Sequence, residues 1–186
     1  PAGLPSPLPG RPLILGGARP GKRPHAEALV LRSGLEPVYI ATAEARDEEM
    51  RARIRRHRAR RGGAWHTIEV PLELPEAVAA QAGPDRAVLV DCLTLWLTNV
   101  LIRNGDLLLA DRDVAEHRAR LCAALPRCSG PVVLVSNEAG LGIVPMGELS
   151  RRFIDEAGWL HQELAAAADQ VRLLVAGLPL DLKPRP

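Results

Sequence analysis

Lysine is almost missing from this chain. Among 186 residues only Lys22 and Lys183 carry an ammonium group, and arginine supplies the rest of the 24 cationic side chains. A lone lysine in the N-terminal third therefore stands out. Aromatic residues are scarce as well: Tyr39, Trp65, Trp96, Phe153 and Trp159 make up 3% of the sequence. Stacking platforms for single-stranded nucleic acid need several aromatic rings close together, so that class of partner is disfavoured. Cysteine is limited to Cys92, Cys122 and Cys128, an odd number with no C-x-x-C spacing. This excludes a disulfide framework and a ribbon-type zinc site, and it suits a reducing compartment. No apolar run reaches the roughly 18 residues of a membrane helix. No charged segment followed by an apolar one opens the chain, so the expectation is a cytoplasmic protein without a secretory signal.

An excess of charge is also lacking. The formal net charge is +2, from 24 basic and 22 acidic residues, which argues against a chain-wide binder of nucleic acid. The average hides a concentration, however. Residues 46–61 hold eight arginines against three acids, a local charge of +5 that leaves −3 for the rest of the chain. One positive patch thus sits on a mildly acidic body. Hydrophobic residues make up 47%, enough for one well-packed domain.

Five prolines fall within residues 1–12, which read as an irregular leader ahead of a single domain spanning 13–186. Short apolar runs then alternate with helical patterns. Strands are expected at Leu13–Leu15, Pro37–Ala41, Trp65–Val70, Ala87–Val90, Pro131–Val135 and, last, Val171–Val175. Helices are expected at Pro24–Ser33, Ala43–Arg58, Pro75–Gln81, Leu93–Arg103, Asp111–Leu125 and Gly147–Ala168. The second helix begins acidic and ends basic, in accord with the helix dipole. Strands that are apolar on both faces and alternate with helices imply an α/β fold with a mostly parallel sheet covered on both sides.

The strongest local motif is Leu13-Ile-Leu-Gly16-Gly17-Ala18-Arg19-Pro20-Gly21-Lys22 leading into a helix. A strand, a glycine-bearing loop ending in Gly-Lys and a helix form the context of a phosphate-binding loop. Loop amides converge on phosphate oxygens, the helix N-terminus adds partial positive charge, and Lys22 reaches the outer phosphates. The competing reading is a glycine turn with no ligand. Arg23 occupies the position where a Ser or Thr hydroxyl would ligate magnesium, and Pro20 removes one amide donor from the loop. The apolar strand ending at Asp91 adds a second piece, because P-loop proteins keep a magnesium-supporting acid at such a place.

Further stretches carry a family resemblance: Tyr39-Ile-Ala-Thr42, Asp47-Glu-Glu-Met50 through Ile54 to His57, Asp91-Cys-Leu-Thr94, and Val132-Val-Leu-Val-Ser136-Asn137-Glu138-Ala-Gly140-Leu-Gly142-Ile-Val-Pro145. With Gly16–Lys22 and His25-Ala-Glu-Ala-Leu29, they make the chain resemble the bifunctional adenosylcobinamide kinase / adenosylcobinamide-phosphate guanylyltransferase family of cobalamin assembly, from about Leu13 to Ala176. The resemblance implies a P-loop NTPase-like (RecA-like) fold and two reactions. One phosphorylates adenosylcobinamide with a nucleoside triphosphate, ATP or GTP. The other moves GMP from GTP, through a GMP-histidine intermediate, to give adenosylcobinamide-GDP and pyrophosphate. The matching histidine is His57. Its setting among Arg55, Arg56, Arg58, Arg60 and Arg61 suits a neutral nucleophile facing a triphosphate. A solvated basic helix end with an incidental histidine is the alternative.

The resemblance further implies nucleotide contacts at Gly16, Gly17, Ala18, Arg19, Pro20, Gly21, Lys22 and Arg23, at Ala41, Thr42 and Ala43, at Arg58, Ala59, Arg60 and Arg61, and at Glu69 and Asp91. Glu69 and Asp91 either read the guanine edge or hold Mg2+, and Asp91 stands where the family pattern has Glu. Asn137 and Glu138, at a strand's C-terminal end, either line the site or form loop structure. A homotrimer with sites between subunits is implied too. The family loop reads Gly-Gly-Ala-Arg-Ser-Gly-Lys-Ser, so two serines are replaced here, by Pro20 and Arg23. Either both activities persist with the metal held by Asp91, water and phosphates, or γ-phosphoryl transfer is impaired. A non-catalytic protein that binds GTP or the corrinoid is the reading from another class. His25, His66, His117 and His161 have no metal-ligand spacing and are expected to be structural or at the surface, and Trp96 and Trp159 to be core.

Overall fold

A computed structural model describes residues 8, 10–44, 47–103, 106–107 and 111–184; for Arg53, His57, Arg58, Arg60, Arg103, Asp106, Leu107 and Asp111 it describes the backbone alone. Most of the expected leader lies outside these residues. The part that is described is tied to the sheet: Val132 N donates to Gly10 O (2.8 Å) and Asp169 N to Arg11 O (3.2 Å). Strand β1 begins one residue earlier than expected, at Pro12.

The main sheet has seven strands in the order β3-β2-β4-β7-β1-β8-β9. These are β1 (Pro12–Gly16), β2 (Glu36–Ala41), β3 (His66–Glu69), β4 (Arg86–Asp91), β7 (Val132–Val135), β8 (Gln170–Val175) and β9 (Leu178–Lys183). All neighbouring pairs are parallel except β8 and β9. The short antiparallel strands β5 (Ile102–Arg103) and β6 (Asp106–Leu107) pair separately. The helices are α1 (Lys22–Arg32), α2 (Glu48–Arg61), α3 (Leu74–Gln81), α4 (Leu93–Leu101), α5 (Asp111–Ala124), followed by a 3-10 turn, and α6 (Glu148–Ala167).

Successive strand residues face opposite sides of a sheet, so each apolar strand feeds two cores. Leu13, Leu15, Val38, Ile40, Val88, Val90, Val132 and Leu134 meet one set of helices, through Leu74 and Val78 of α3, Leu93 and Trp96 of α4, Leu121 of α5, and Leu160 and Leu164 of α6. Ile14, Tyr39, Ala41, Ala87, Leu89, Val133 and Val135 meet α1, through Ala26, Leu29 and Val30, together with Trp65 and Cys92. One face is thus covered by four helices and the other chiefly by α1. Each fully buried Leu, Ile or Val contributes roughly 1.5–3 kcal/mol.

Several boundaries differ from expectation. Helix α2 starts at Glu48 rather than at Ala43, because Asp47 is its N-cap and accepts from Met50 N at 2.7 Å. Strand β9 extends the sheet beyond the strand expected to be last. Ala176 (φ 51°) and Gly177 (φ 80°) both have positive φ, as a tight hairpin requires, and Pro179 is tolerated because β9 is an edge. Trp96 is core as expected, but Trp159 is 48% exposed and lies beneath the Arg118 guanidinium. Arg118 in turn ion-pairs with the buried Glu156, joining α5 to α6. Among the described residues no helix is long and apolar enough to cross a membrane.

Candidate functional site

The loop between β1 and α1 is shaped by close backbone approach. A Cβ on Gly16 would lie 2.7 Å from Leu174 O and 2.8 Å from Pro20 Cγ, so only glycine fits there. Gly21 caps α1 at φ 99°, the left-handed region, and a Cβ there would lie 3.3 Å from Gly177 Cα. Gly17, Ala18 and Arg19 are exposed, and Pro20, which lacks an amide hydrogen, offers its carbonyl to Gly177 N at 2.8 Å. The β8–β9 turn therefore buttresses the loop.

Lys22 is only 7% exposed, and its Nζ donates to Gly16 O (2.9 Å) and Gly17 O (2.5 Å). The ammonium is folded onto the loop it serves. Burial lowers its pKa from the usual lysine value, while Cys92 and Asp91 act to raise it.

Strand register brings the expected acids to one edge. Ala41 pairs with both Glu69 and Asp91, and Asp91 with Val135, so these residues form a row at the C-terminal ends of β3, β2, β4 and β7. Open α/β sheets place ligands at that edge. Glu69 is exposed, whereas the Asp91 side chain is only 10% exposed. Thr42 is fully buried: its hydroxyl donates to Cys92 O (2.6 Å) and accepts from Cys92 N (2.8 Å), and its carbonyl accepts from Asn99 Nδ2 (2.8 Å). Thr42 thereby locks the end of β2 to the end of β4, and its backbone N also donates to Asp91 O at 3.2 Å. Ala43 follows, half-buried.

Arg23 is not directed at open solvent. Its Nε and Nη2 each lie 2.6 Å from Asp91 Oδ2, and Tyr39 donates its hydroxyl to the same oxygen. Burial alone would lower the Arg23 pKa, but the Asp91 carboxylate beside it holds it above the usual arginine value. Burial, reinforced by Asp91, raises the Tyr39 hydroxyl well above the ordinary tyrosine value, so it stays a donor. Over the Tyr39 ring, 3.5 Å from its centroid, sits the Arg61 guanidinium at the C-terminal end of α2. Arg61 Nε has no hydrogen-bond partner among the described residues. His57 lies on α2 one turn before Arg61; its side chain, like those of Arg58 and Arg60, lies outside the described residues, and Ala59 is exposed.

These contacts decide how Mg2+ fits. A loop magnesium needs a hydroxyl at position 23 and an accessible acid on the facing strand. Here position 23 is a guanidinium, and it occupies one Asp91 oxygen, Oδ2, together with Tyr39. Among the described residues no group of three or more His, Cys, Asp or Glu could hold a metal. The residues at the loop do not fit the ion: position 23 offers no hydroxyl, and Oδ2 of Asp91 is the partner of Arg23 and Tyr39.

On the other side of the loop, Glu138 N donates to Gly16 O at 2.9 Å. The Glu138 carboxylate accepts from Gly140 N (2.6 Å) and lies 3.9 Å from His161 Nδ1, while His161 Nε2 is 2.7 Å from Ser136 Oγ. Asn137 is exposed, and its backbone N donates to Thr94 Oγ1 at 3.4 Å. His161 is thus a buried, hydrogen-bonded member of the loop's surroundings, the structural one of the two roles expected for it. Its signal was available: Ala157, Leu160, His161 and Leu164 have helical spacing on the buried face of α6. Burial lowers the His161 pKa below the ordinary histidine value, against an opposing pull from Glu138. Beyond Glu138 lies a groove of about 260 Å³ lined by residues that include Gly140, Ile143, Val144, Arg151 and Asp155.

A parallel sheet with a glycine–lysine loop between its first strand and first helix defines a P-loop nucleotide-binding fold. Solved structures agree at the level of fold. The flagellar accessory protein FlaH of Methanocaldococcus jannaschii superposes with a TM-score of 0.52 at 12% identity, covering 96% of this chain and 80% of that one. The P4 protein of bacteriophage phi13 superposes with a TM-score of 0.50 at 13% identity, covering 92% of this chain and 53% of that one.

The more particular affiliation comes from sequence. The family of cobinamide kinase / cobinamide phosphate guanyltransferase matches residues 12–182, and the chain belongs to it. The bifunctional adenosylcobalamin biosynthesis protein CobP of Pseudomonas aeruginosa is 52% identical over 95% of this chain and 99% of its own length. The bifunctional adenosylcobalamin biosynthesis protein CobU of Salmonella typhimurium is 42% identical over 92% of this chain and 98% of its own.

Proposed function

We propose that the chain is an adenosylcobinamide kinase and adenosylcobinamide-phosphate guanylyltransferase of cobalamin assembly, with residues 13–186 acting as one catalytic domain. The observation that carries this reading is the family match across residues 12–182. In the kinase step a hydroxyl oxygen of adenosylcobinamide attacks the γ-phosphorus of ATP or GTP and gives up its proton to solvent. The bond from that phosphorus to the β–γ bridging oxygen breaks, and the nucleoside diphosphate leaves. In the second reaction a ring nitrogen of His57 attacks the α-phosphorus of GTP. A P–N bond forms and pyrophosphate departs. An oxygen of the cobinamide phosphate then attacks the same phosphorus, and the P–N bond breaks to release adenosylcobinamide-GDP.

The loop amides of Gly16, Gly17, Ala18, Arg19 and Gly21 and the Lys22 ammonium bind and orient phosphates, while Arg58, Arg60 and Arg61 offset charge near His57. Arg61 supports this assignment, because its guanidinium stacks on Tyr39, whose hydroxyl donates to Asp91. Glu69, on the same edge as Ala41, is assigned to the guanine edge, since an exposed carboxylate can accept from a base. The loop offers Mg2+ no hydroxyl at position 23, and Arg23 and Tyr39 hold Oδ2 of Asp91. We further propose a cytoplasmic homotrimer. The exposed apolar residues Leu141, Val144, Met146 and Ile143 (96% exposed) support an assembly that covers them.

Incubation with GTP followed by intact-protein and peptide mass spectrometry tests the reading. A GMP adduct on His57, discharged by adenosylcobinamide phosphate, is the expected result; no adduct on that residue refutes it. One observation favours a second reading, in which guanylyl transfer proceeds while γ-phosphoryl transfer is impaired. Arg23 stands in the place of the metal-binding hydroxyl and pairs with Asp91. A GMP adduct without adenosylcobinamide phosphorylation identifies that case.

A further inference from the structure

The two positions that would share a magnesium ion in a phosphate loop are here occupied by groups that satisfy each other. Asp91 Oδ2 accepts from Nε and Nη2 of Arg23, both at 2.6 Å, and from the Tyr39 hydroxyl. Three donors saturate Oδ2, so a metal at that oxygen would have to displace Arg23 and Tyr39. A divalent cation brought to Asp91 would also sit against a guanidinium that stays charged at any relevant pH. The arrangement is fixed from several directions. Register holds Asp91 beside Ala41, Arg61 lies on the Tyr39 ring at 3.5 Å, and Lys22, the preceding residue, is clamped by Gly16 O and Gly17 O.

The same corner remains suited to polyphosphate. Lys22, Arg23 and Arg61 bring cations to it from the loop, the start of α1 and the end of α2, and a guanidinium donates to phosphate oxygens as readily as to carboxylate. We propose that the phosphate loop takes nucleoside triphosphate as the metal-free anion, with Arg23, anchored on Asp91, standing in for the divalent cation. The proposal rests on the reading that Gly16 to Arg23 hold nucleotide phosphates. It sets a preference: the unchelated triphosphate binds at least as well as its magnesium complex, and Mg2+ contributes no affinity at the loop.

Direct binding tests this with a GTP analogue carrying a methylene group between the α- and β-phosphorus. The analogue cannot guanylylate His57, so the titration reads affinity alone. Calorimetric titration of the intact wild-type protein, once in excess Mg2+ and once in EDTA, is expected to give the same Kd within about threefold. Arg23→Ser restores a hydroxyl and frees Asp91. That variant is expected to bind at least about tenfold more weakly in EDTA than in Mg2+. Arg23→Lys, which keeps the charge and loses the fork, is expected to bind more weakly than wild type while staying indifferent to metal. A wild-type affinity that falls about tenfold or more on chelation overturns the proposal. So does an Arg23→Ser variant, shown folded by its circular dichroism, that binds equally in both conditions. If wild type binds the analogue in neither condition, the phosphate-loop reading fails and the proposal falls with it. If it binds only with metal, that reading stands and the proposal alone is refuted.

Discussion

Helices α1 and α2 both bring positive charge to the same edge of the sheet, and they are held in opposite ways. Helix α1 buries Ala26, Leu29 and Val30 against the sheet, its first residue Lys22 is clamped by two loop carbonyls, and its second, Arg23, by Asp91. Helix α2 buries none of its described side chains. Its visible supports are the Asp47 cap, the pairs from Glu48 to Arg51 (2.9 Å) and Arg55 (2.7 Å), and the stacking of Arg61 on Tyr39. The phosphate-gripping half of the site is therefore built into the core, while the half that carries the proposed nucleophile is attached at its end. A grip built into the core beside a helix whose described side chains stay at the surface suits the proposed charging and discharging of His57.

The largest effects should come from removing the chemistry of each half. His57→Asn is expected to abolish the GMP adduct outright while leaving the binding of nucleotide to the loop in place. Lys22→Ala is expected to do the reverse: adduct formation persists, and phosphoryl transfer falls by about 10²–10³-fold, the usual cost of one lost charge-stabilising donor. Mass spectrometry and a kinase assay on both variants check the pair. Loss of both activities in either variant would merge the two halves and break the comparison.

A smaller effect separates the halves by stability. Gly16→Ala places a methyl 2.7 Å from Leu174 O and 2.8 Å from Pro20 Cγ, within the packed wall of the loop. Overpacking of this kind costs about 1–3 kcal/mol and should lower the denaturation midpoint of the whole domain. Gly62, the C-cap of α2, has φ 73°, and a methyl added there would meet no atom within 4 Å. Gly62→Ala meets only backbone strain, about 1–3 kcal/mol at the C-terminus of α2, and it should fray that helix without moving the global midpoint. Urea unfolding followed by tryptophan fluorescence distinguishes the two.

His161 gives the core side a pH signature. Burial depresses its folded pKa below the unfolded value of about 6.5, so the folded chain holds fewer protons in the interval between the two values. Its contribution to stability is complete above the unfolded pKa and is lost as pH falls through that interval. The slope there is at most about 1.4 kcal/mol per pH unit. His25, lowered by burial and by Arg172, acts in the same direction. Thermal unfolding of wild type and His161→Gln at pH 7.5 and 5.5 should show the smaller acid loss in the variant. Equal losses would mean that His161 does not titrate with folding.

Much of this was legible in the residues themselves. Runs such as Ala87–Val90 and Val132–Val135, apolar at every position, could only be strands covered on both faces, and Gly16 to Lys22 marked the loop between the first of the strands and its helix. The alternation Leu178, Leu180, Leu182 carried a strand signal too, but Pro179 within it masked an edge strand. The Arg23–Asp91 pair was out of reach, because 68 residues separate them. Sequence placed a guanidinium at the start of α1 and an acid at the end of β4. Whether the arginine faced a phosphate or the acid depended on tertiary register. The partnership of His161 with Ser136, 25 residues apart, was hidden for the same reason.

The smallest expected effect is the most diagnostic of how α2 is held. Asp47 is the side chain that accepts from the first turn of α2, at Met50 N. Replacing such a cap with alanine costs about 0.5–2 kcal/mol of helix stability. In a helix packed like α1 that cost would pass into the global midpoint, because helix and core unfold together. In α2 it should stay local. The amides of residues 50–61 should lose hydrogen-exchange protection in Asp47→Ala, while the midpoint of the domain shifts little. The rate of GMP-adduct formation should fall as the nucleophile's helix spends more time frayed, and loop binding of the methylene analogue should not change. A midpoint that drops by the full cost of the cap would show that α2 is coupled to the core more tightly than its exposed surface implies. The two halves of the site would then share one stability, and His57 would be carried on a rigid mount like that of Lys22.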